Sequence, residues 1–155
     1  MMAAPQDGGA WRIRTMMVRE AAPETSAIGE HLKGPADAFR LMELLYGVEP
    51  QEVFVGFYLN ARHRIAAYQE ITRGIADSSL IHPRELFRGA ILANACSVIV
   101  AHNHPSGDPT PSPEDHAVTR HLAAAGRTVG IPLLDHIVVG HGCYQSLADD
   151  CGVGS

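Results

Sequence analysis

The chain has 155 residues, 46% of them hydrophobic and 19% charged, with a formal net charge of −5 at pH 7. That length and apolar content suit one domain with an adequate core, and no apolar run approaches the ~20 residues of a membrane span. Lys33 is the single lysine and the arginines are scattered, so the chain lacks the electrostatic footprint of a nucleic-acid binder.

Residues Met1 to about Gly9 are small and polar, and an N-terminal extension over 1–33 is expected to be partly flexible. Within it, Trp11–Arg19 is predicted as a strand and Ala21–Lys33 as an irregular loop. Gly34-Pro35 leads a predicted helix, Ala36 to about Tyr46, with Phe39, Met42 and Leu45 or Tyr46 on its apolar face. Strands Glu52–Leu59 and Arg64–Ile71 flank Asn60-Ala61-Arg62-His63, which reads as a hairpin turn. A second helix is predicted over Pro83–Asn94, with Arg84 and Glu85 at a solvated start.

Ser97–Ala101 is an apolar, β-branched run typical of a buried strand. Continued by a few residues, it puts His102 and His104 on one face, because strand side chains alternate with period two. Pro105, Gly107, Pro109 and Pro111 then force a turn. Ser112 suits an N-cap, Pro113 the first helical position and Asp115 the third. Asp115 heads a stripe with Val118, Leu122 and Ala125, the inward face of a third helix. Strands at about Leu133–Val139 and Tyr144–Ser146 complete a mixed α/β fold, an α+β sheet flanked by helices.

Two imidazoles and an inward carboxylate form the ligand set of a catalytic zinc site, with a fourth position left for water. The bland alternative needs no metal. Ser112-x-x-Asp115 before an apolar run is also a capping box, and Asp at the third helical position suits the helix dipole. What favours the metal is the cost of inward charges that have no partner. Asp135 and His136 either orient a ligand from outside it or form a satisfied core pair. His116, His121 and His141 have no ligand spacing. The three cysteines form no Cys-x-x-Cys pair, and Cys96 is expected in the core. Their odd number, with no charged-then-apolar leader, predicts a reducing, cytoplasmic setting.

The pattern His102-x-His104-x7-Ser112-x2-Asp115 resembles the JAMM (MPN+) metalloprotease signature. The fuller string His102-Asn103-His104-Pro105-Ser106-Gly107-Asp108, with Pro111-Ser112, Pro83-Arg84-Glu85 and Asp135-His136-Ile137-Val138-Val139-Gly140, is similar to the RadC-like branch of that superfamily. The resemblance runs from about Ala36 to the C-terminus and implies one such domain over 34–155, with JAMM/MPN-like, cytidine-deaminase-like architecture. It implies zinc held by His102, His104 and Asp115, and a peptide or protein substrate cleaved at a peptide or isopeptide bond. It also implies an upstream glutamate as general base, for which Glu52 is the first candidate and Glu70 the rival. Ser112 is implied as a donor to the oxyanion, a role compatible with capping because a hydroxyl both donates and accepts. The branch's name points to a second function, an accessory role in DNA repair or metal-dependent phosphodiester cleavage. A nucleic-acid partner finds no support in the charge, and neither does a membrane.

Overall fold

The computed structural model describes residues 29–74 and 77–152. The predicted strand Trp11–Arg19 lies outside them. In chain order the elements are α1 (Pro35–Tyr46), β1 (Val53–Leu59), β2 (Ile65–Arg73), α2 (Pro83–Leu92), β3 (Ser97–Asn103), α3 (Pro113–Val129), β4 (Leu133–Val139), β5 (Tyr144–Ser146) and α4 (Ala148–Cys151), with a short 3-10 turn at Ser78–Leu80. No helix among them is long and apolar enough to cross a membrane.

The strands form one mixed sheet in the order β2-β1-β3-β4-β5. β1 pairs antiparallel with both β2 and β3, while β3 and β4 run parallel and are joined by α3. A parallel pair needs such a crossover, and a helix is the usual way to make one. The β1–β2 turn is organised by Asn60, whose Oδ1 accepts the N–H groups of Arg62 and Arg64 at 2.9 and 3.1 Å. This is the local hydrogen bonding that makes Asn a turn residue.

Helices cover both faces of the sheet. On one, Leu86, Phe87 and Ala90 of α2 and Val118, Leu122 and Ala123 of α3 pack on Phe54, Tyr58, Val98 and Val100. On the other, Ala38, Leu41 and Met42 of α1 pack on Val53, Val55, Phe57, Ile99, Ala101 and Ile137. All seven residues of β1 and all seven of β3 are buried. This is why these strands read as continuous apolar runs rather than alternating ones.

Two expectations are corrected. The buried stripe of α1 centres on Ala38, Leu41 and Met42, while Phe39, Leu45 and Tyr46 pack only partly buried at its flanks. Met42 is thus on the buried face as expected, joined by Ala38 and Leu41. Cys96 is exposed rather than in the core. It lies in the turn just ahead of β3, where its backbone N–H bonds Leu59 O at 2.7 Å and its side chain faces outward.

The C-terminal turn of α3 passes close to the chain that returns as β4. A methyl group at Gly126 would stand 2.6 Å from the backbone oxygen of Ile131 and 3.3 Å from Leu133 N. In an open helix Gly→Ala gains up to about 1 kcal/mol, but overpacking against fixed backbone typically costs about 1–3 kcal/mol. Gly126→Ala is therefore expected to lower unfolding stability by about 1–2 kcal/mol in urea titration, and an equal or higher stability would show that this approach is not tight.

Candidate metal centre

The register of the sheet assembles the site. Phe54 of β1 lies opposite His102 of β3, so the residue just before β1, Glu52, arrives beside the end of β3. α3 begins over that same end, bringing Asp115 down on it. The result is a cluster of two imidazoles and two carboxylates. The Nε2 atoms of His102 and His104 are 3.0 Å apart. Asp115 Oδ1 lies 3.4 Å from His102 Nε2, and Oδ2 lies 3.3 Å from His104 Nε2. Glu52 Oε1 is 3.8 Å from His102 Nε2. One donor atom each from Glu52, His102 and His104 fits within a mutual 4.8 Å, the spacing of a metal-ligand set. Asp115 stands closer to both histidines than Glu52 does, so two carboxylates compete for the third position.

Their environments separate them. Burial works to raise the Asp115 carboxyl, but hydrogen bonds and charge from His102 and His104, with the Ser112 N–H, override it and hold Asp115 well below the usual carboxylate range. Burial pushes Glu52 the other way; the two imidazoles pull it back and Asp115 adds to the rise. The same cluster thus favours the charged form of Asp115 and the protonated form of Glu52. Carboxylate pairs driven apart in this way divide into a fixed charge and a proton carrier.

His104 donates from Nδ1 to Asp108 O at 2.9 Å, turning its Nε2 inward. Its basicity is raised, first by the Asp115 hydrogen bond, with burial opposing. The cluster therefore attracts positive charge. A divalent cation fits this donor set of two nitrogens and a carboxylate.

Residues around these four hold the cluster in place. Asn103, between the two histidines, points to the other side of the strand. Its Oδ1 accepts the Val53 N–H at 2.7 Å, and its Nδ2 donates to Gln51 O at 2.9 Å. This amide grips the backbone on both sides of Glu52. His136 is fully buried against His102, 2.7 Å from His102 Nδ1, and its other nitrogen lies 2.6 Å from Thr119 Oγ1. Burial pushes the His136 imidazole well below its ordinary range, so the ring is neutral. Only the His of the Asp135-His136 pair reaches the site. Asp135 faces the other way and accepts from Ser146 Oγ at 2.8 Å. The spacing of residues 102, 104 and 115 carried no signal for Asn103 or Thr119, whose partners are set by tertiary packing.

Other candidates fall elsewhere. Ser112 forms a full capping box: its Oγ accepts the Asp115 N–H at 3.1 Å, and its own N–H donates to Asp115 Oδ2 at 2.9 Å. Glu70, the rival base, sits on β2 with Arg73 and Tyr46, and Arg73 holds it below its ordinary range. His116 pairs with Asp150 at 2.5 Å. His121 and His141 are exposed.

Asn103→Ala would strand the Val53 N–H and the Gln51 carbonyl. Each buried unsatisfied group costs about 1–3 kcal/mol. Val53 is buried and Gln51 exposed, so chemical denaturation is expected to show a loss of about 1–3 kcal/mol, chiefly from the Val53 N–H, and a loss under about 0.5 kcal/mol would mean that this grip is unimportant.

Comparison with known proteins agrees with the geometry. The RadC-like JAB domain family matches residues 32–153. The chain is 44% identical over 132 residues to a UPF0758 protein of Shouchella clausii, covering 84% of this chain and 57% of that protein. A UPF0758 protein of Marinobacter nauticus is 44% identical over 133 residues, covering 86% and 59%. One from Methanosarcina mazei is 40% identical over 119 residues, covering 77% and 52%. The chain thus spans somewhat over half the length of these relatives. With the signature histidines, the capped helix and the mixed sheet in place, the chain belongs to the RadC-like JAB domain family.

Proposed function

We propose that this domain is a zinc-dependent hydrolase of JAMM type that cleaves an amide, peptide or isopeptide, in a peptide or protein substrate. The observation that carries this reading is the convergence of His102, His104 and Asp115 on one point, with a second, more basic carboxylate, Glu52, alongside. His102, His104 and Asp115 would hold the ion. When bound, a zinc ion supplies Lewis acidity and brings the pKa of a coordinated water near neutrality.

The chain's own groups do the rest. Glu52 takes a proton from the attacking water and passes it to the leaving nitrogen. Its raised pKa suits it to both halves of that transfer. Ser112 spends an oxygen lone pair on the Asp115 N–H and keeps its hydroxyl proton for the oxyanion. A donor aimed at that charge contributes about 3 kcal/mol to lowering the barrier. The Asn103 amide holds the backbone around Glu52, which limits the search for reactive geometry.

Metal analysis by mass spectrometry tests the first half. Wild type is expected to carry about one zinc per chain after purification with zinc present, and His104→Ala and Asp115→Asn far less. Wild type without metal would refute the reading. For the second half, Glu52→Gln is expected to keep its zinc and to hydrolyse peptide and isopeptide substrates about 10²–10⁴-fold more slowly. If Glu52→Gln instead lost the metal, Glu52 would be the third ligand and not the base; unchanged hydrolysis would remove it from the mechanism.

A further inference from the structure

We infer that His136 and Thr119 are positioning residues that lock His102 in its Nδ1–H tautomer, holding its Nε2 lone pair toward the metal position. Thr119 Oγ1 is 2.5 Å from the backbone oxygen of Asp115. A carbonyl oxygen only accepts, so the single hydroxyl proton of Thr119 lies on that contact. Thr119 Oγ1 must then act as acceptor in its other contact, 2.6 Å to His136 Nδ1. His136 therefore carries its proton on Nδ1.

The His136 ring is fully buried, edge-on to Phe54, and among the described residues its ring nitrogens bond His102 and Thr119 rather than a carboxylate. A second proton there would place an unpaired charge in the core. Its Nε2 is consequently bare and accepts from the atom 2.7 Å away, His102 Nδ1. His102 thus donates its Nδ1–H in that bond and turns its Nε2 toward His104, Asp115 and Glu52.

The order of donors runs from His102 through His136 and Thr119 to the main chain of Asp115, which is itself at the site. A ligating imidazole usually gives its second N–H to a carboxylate or a carbonyl, and that partner fixes ring and tautomer. Here another imidazole stands in that place, and its own tautomer is dictated one step further back by a threonine. The link matters because a reversed chain would put a proton on His102 Nε2, which a metal ion must displace before binding.

Thr119→Val removes the hydroxyl and keeps the shape; Thr119→Ser keeps the hydroxyl. Long-range ¹H–¹⁵N correlation spectra of the metal-stripped full chain report which ring nitrogen bears the proton. Wild type and Thr119→Ser are expected to show His102 as Nδ1–H, and Thr119→Val a mixture with the Nε2–H form. Zinc affinity, measured by competition with a chromophoric chelator, is expected to fall about 10- to 100-fold in Thr119→Val and to stay within about threefold of wild type in Thr119→Ser. His102 found as Nε2–H in wild type, or Thr119→Val with unchanged tautomer and affinity, would overturn the inference. This proposal draws its consequence from the metal-site reading, but the spectra stand apart from it. The expected tautomers in a protein that binds no zinc would uphold the relay and sink the metal site.

Discussion

The structure is organised around one electrostatic requirement: Asp115 is buried at the start of α3 with its carboxylate against two imidazoles. A buried anion without compensation costs several kcal/mol. Here the compensation comes from the His102 and His104 rings, the Ser112 N–H and the positive end of α3. Everything nearby is arranged so that this charge stays ionised. The same arrangement makes the cluster a receptor for positive charge.

The topology explains why these groups meet. In α/β sheets, ligands gather at the C-terminal ends of the parallel strands, where loops leave for the crossover helices. β3 and β4 are the parallel pair, and the loop leaving β3 carries His104 before turning into α3. Because β1 runs antiparallel to β3, its beginning rather than its end lies at that edge. Glu52 therefore joins from a position far away in sequence without any special loop. The Asn103 side chain then acts as an extra sheet partner on the Gln51–Val53 backbone, continuing the order of β1 past its first residue.

Much of this was legible from local rules. The alternation that aligns His102 with His104, the Pro/Gly punctuation after them, and the Ser-Pro-Glu-Asp start of α3 each depend on near neighbours in the chain. All appear in the structure as expected, including the N-cap at Ser112. What stayed hidden depends on packing between elements. Thr119 looks like an ordinary mid-helix residue until β4 brings His136 against it. Cys96 has the composition of a core residue, yet the tight entry into β3 turns it outward. In α1 Phe39, Leu45 and Tyr46 ride at the rim, while Ala38, Leu41 and Met42 fill the centre. Glu52, the first candidate from sequence, falls beside the histidines through the strand register, whereas Glu70 lies within β2 against Arg73.

The capping box and the closeness to two imidazoles, which the sequence sets against each other as explanations of Asp115, occur in one arrangement. The box is fully formed, and still the carboxylate lies within 3.4 Å of both imidazoles. Capping alone does not explain the site. An exposed N-terminal box contributes about 1 kcal/mol, and nothing in that role calls for a carboxylate only 2% exposed beside two rings. Burying it there works against stability unless charge is returned to the cluster. A protein tolerates such a local cost where function depends on it. Capping supplies the geometry instead: the Ser112 and Asp115 bonds fix the carboxylate's rotamer before any ion arrives, so its side-chain entropy is already spent. The helix start is thus the element that holds this carboxylate rigid beside the two imidazoles.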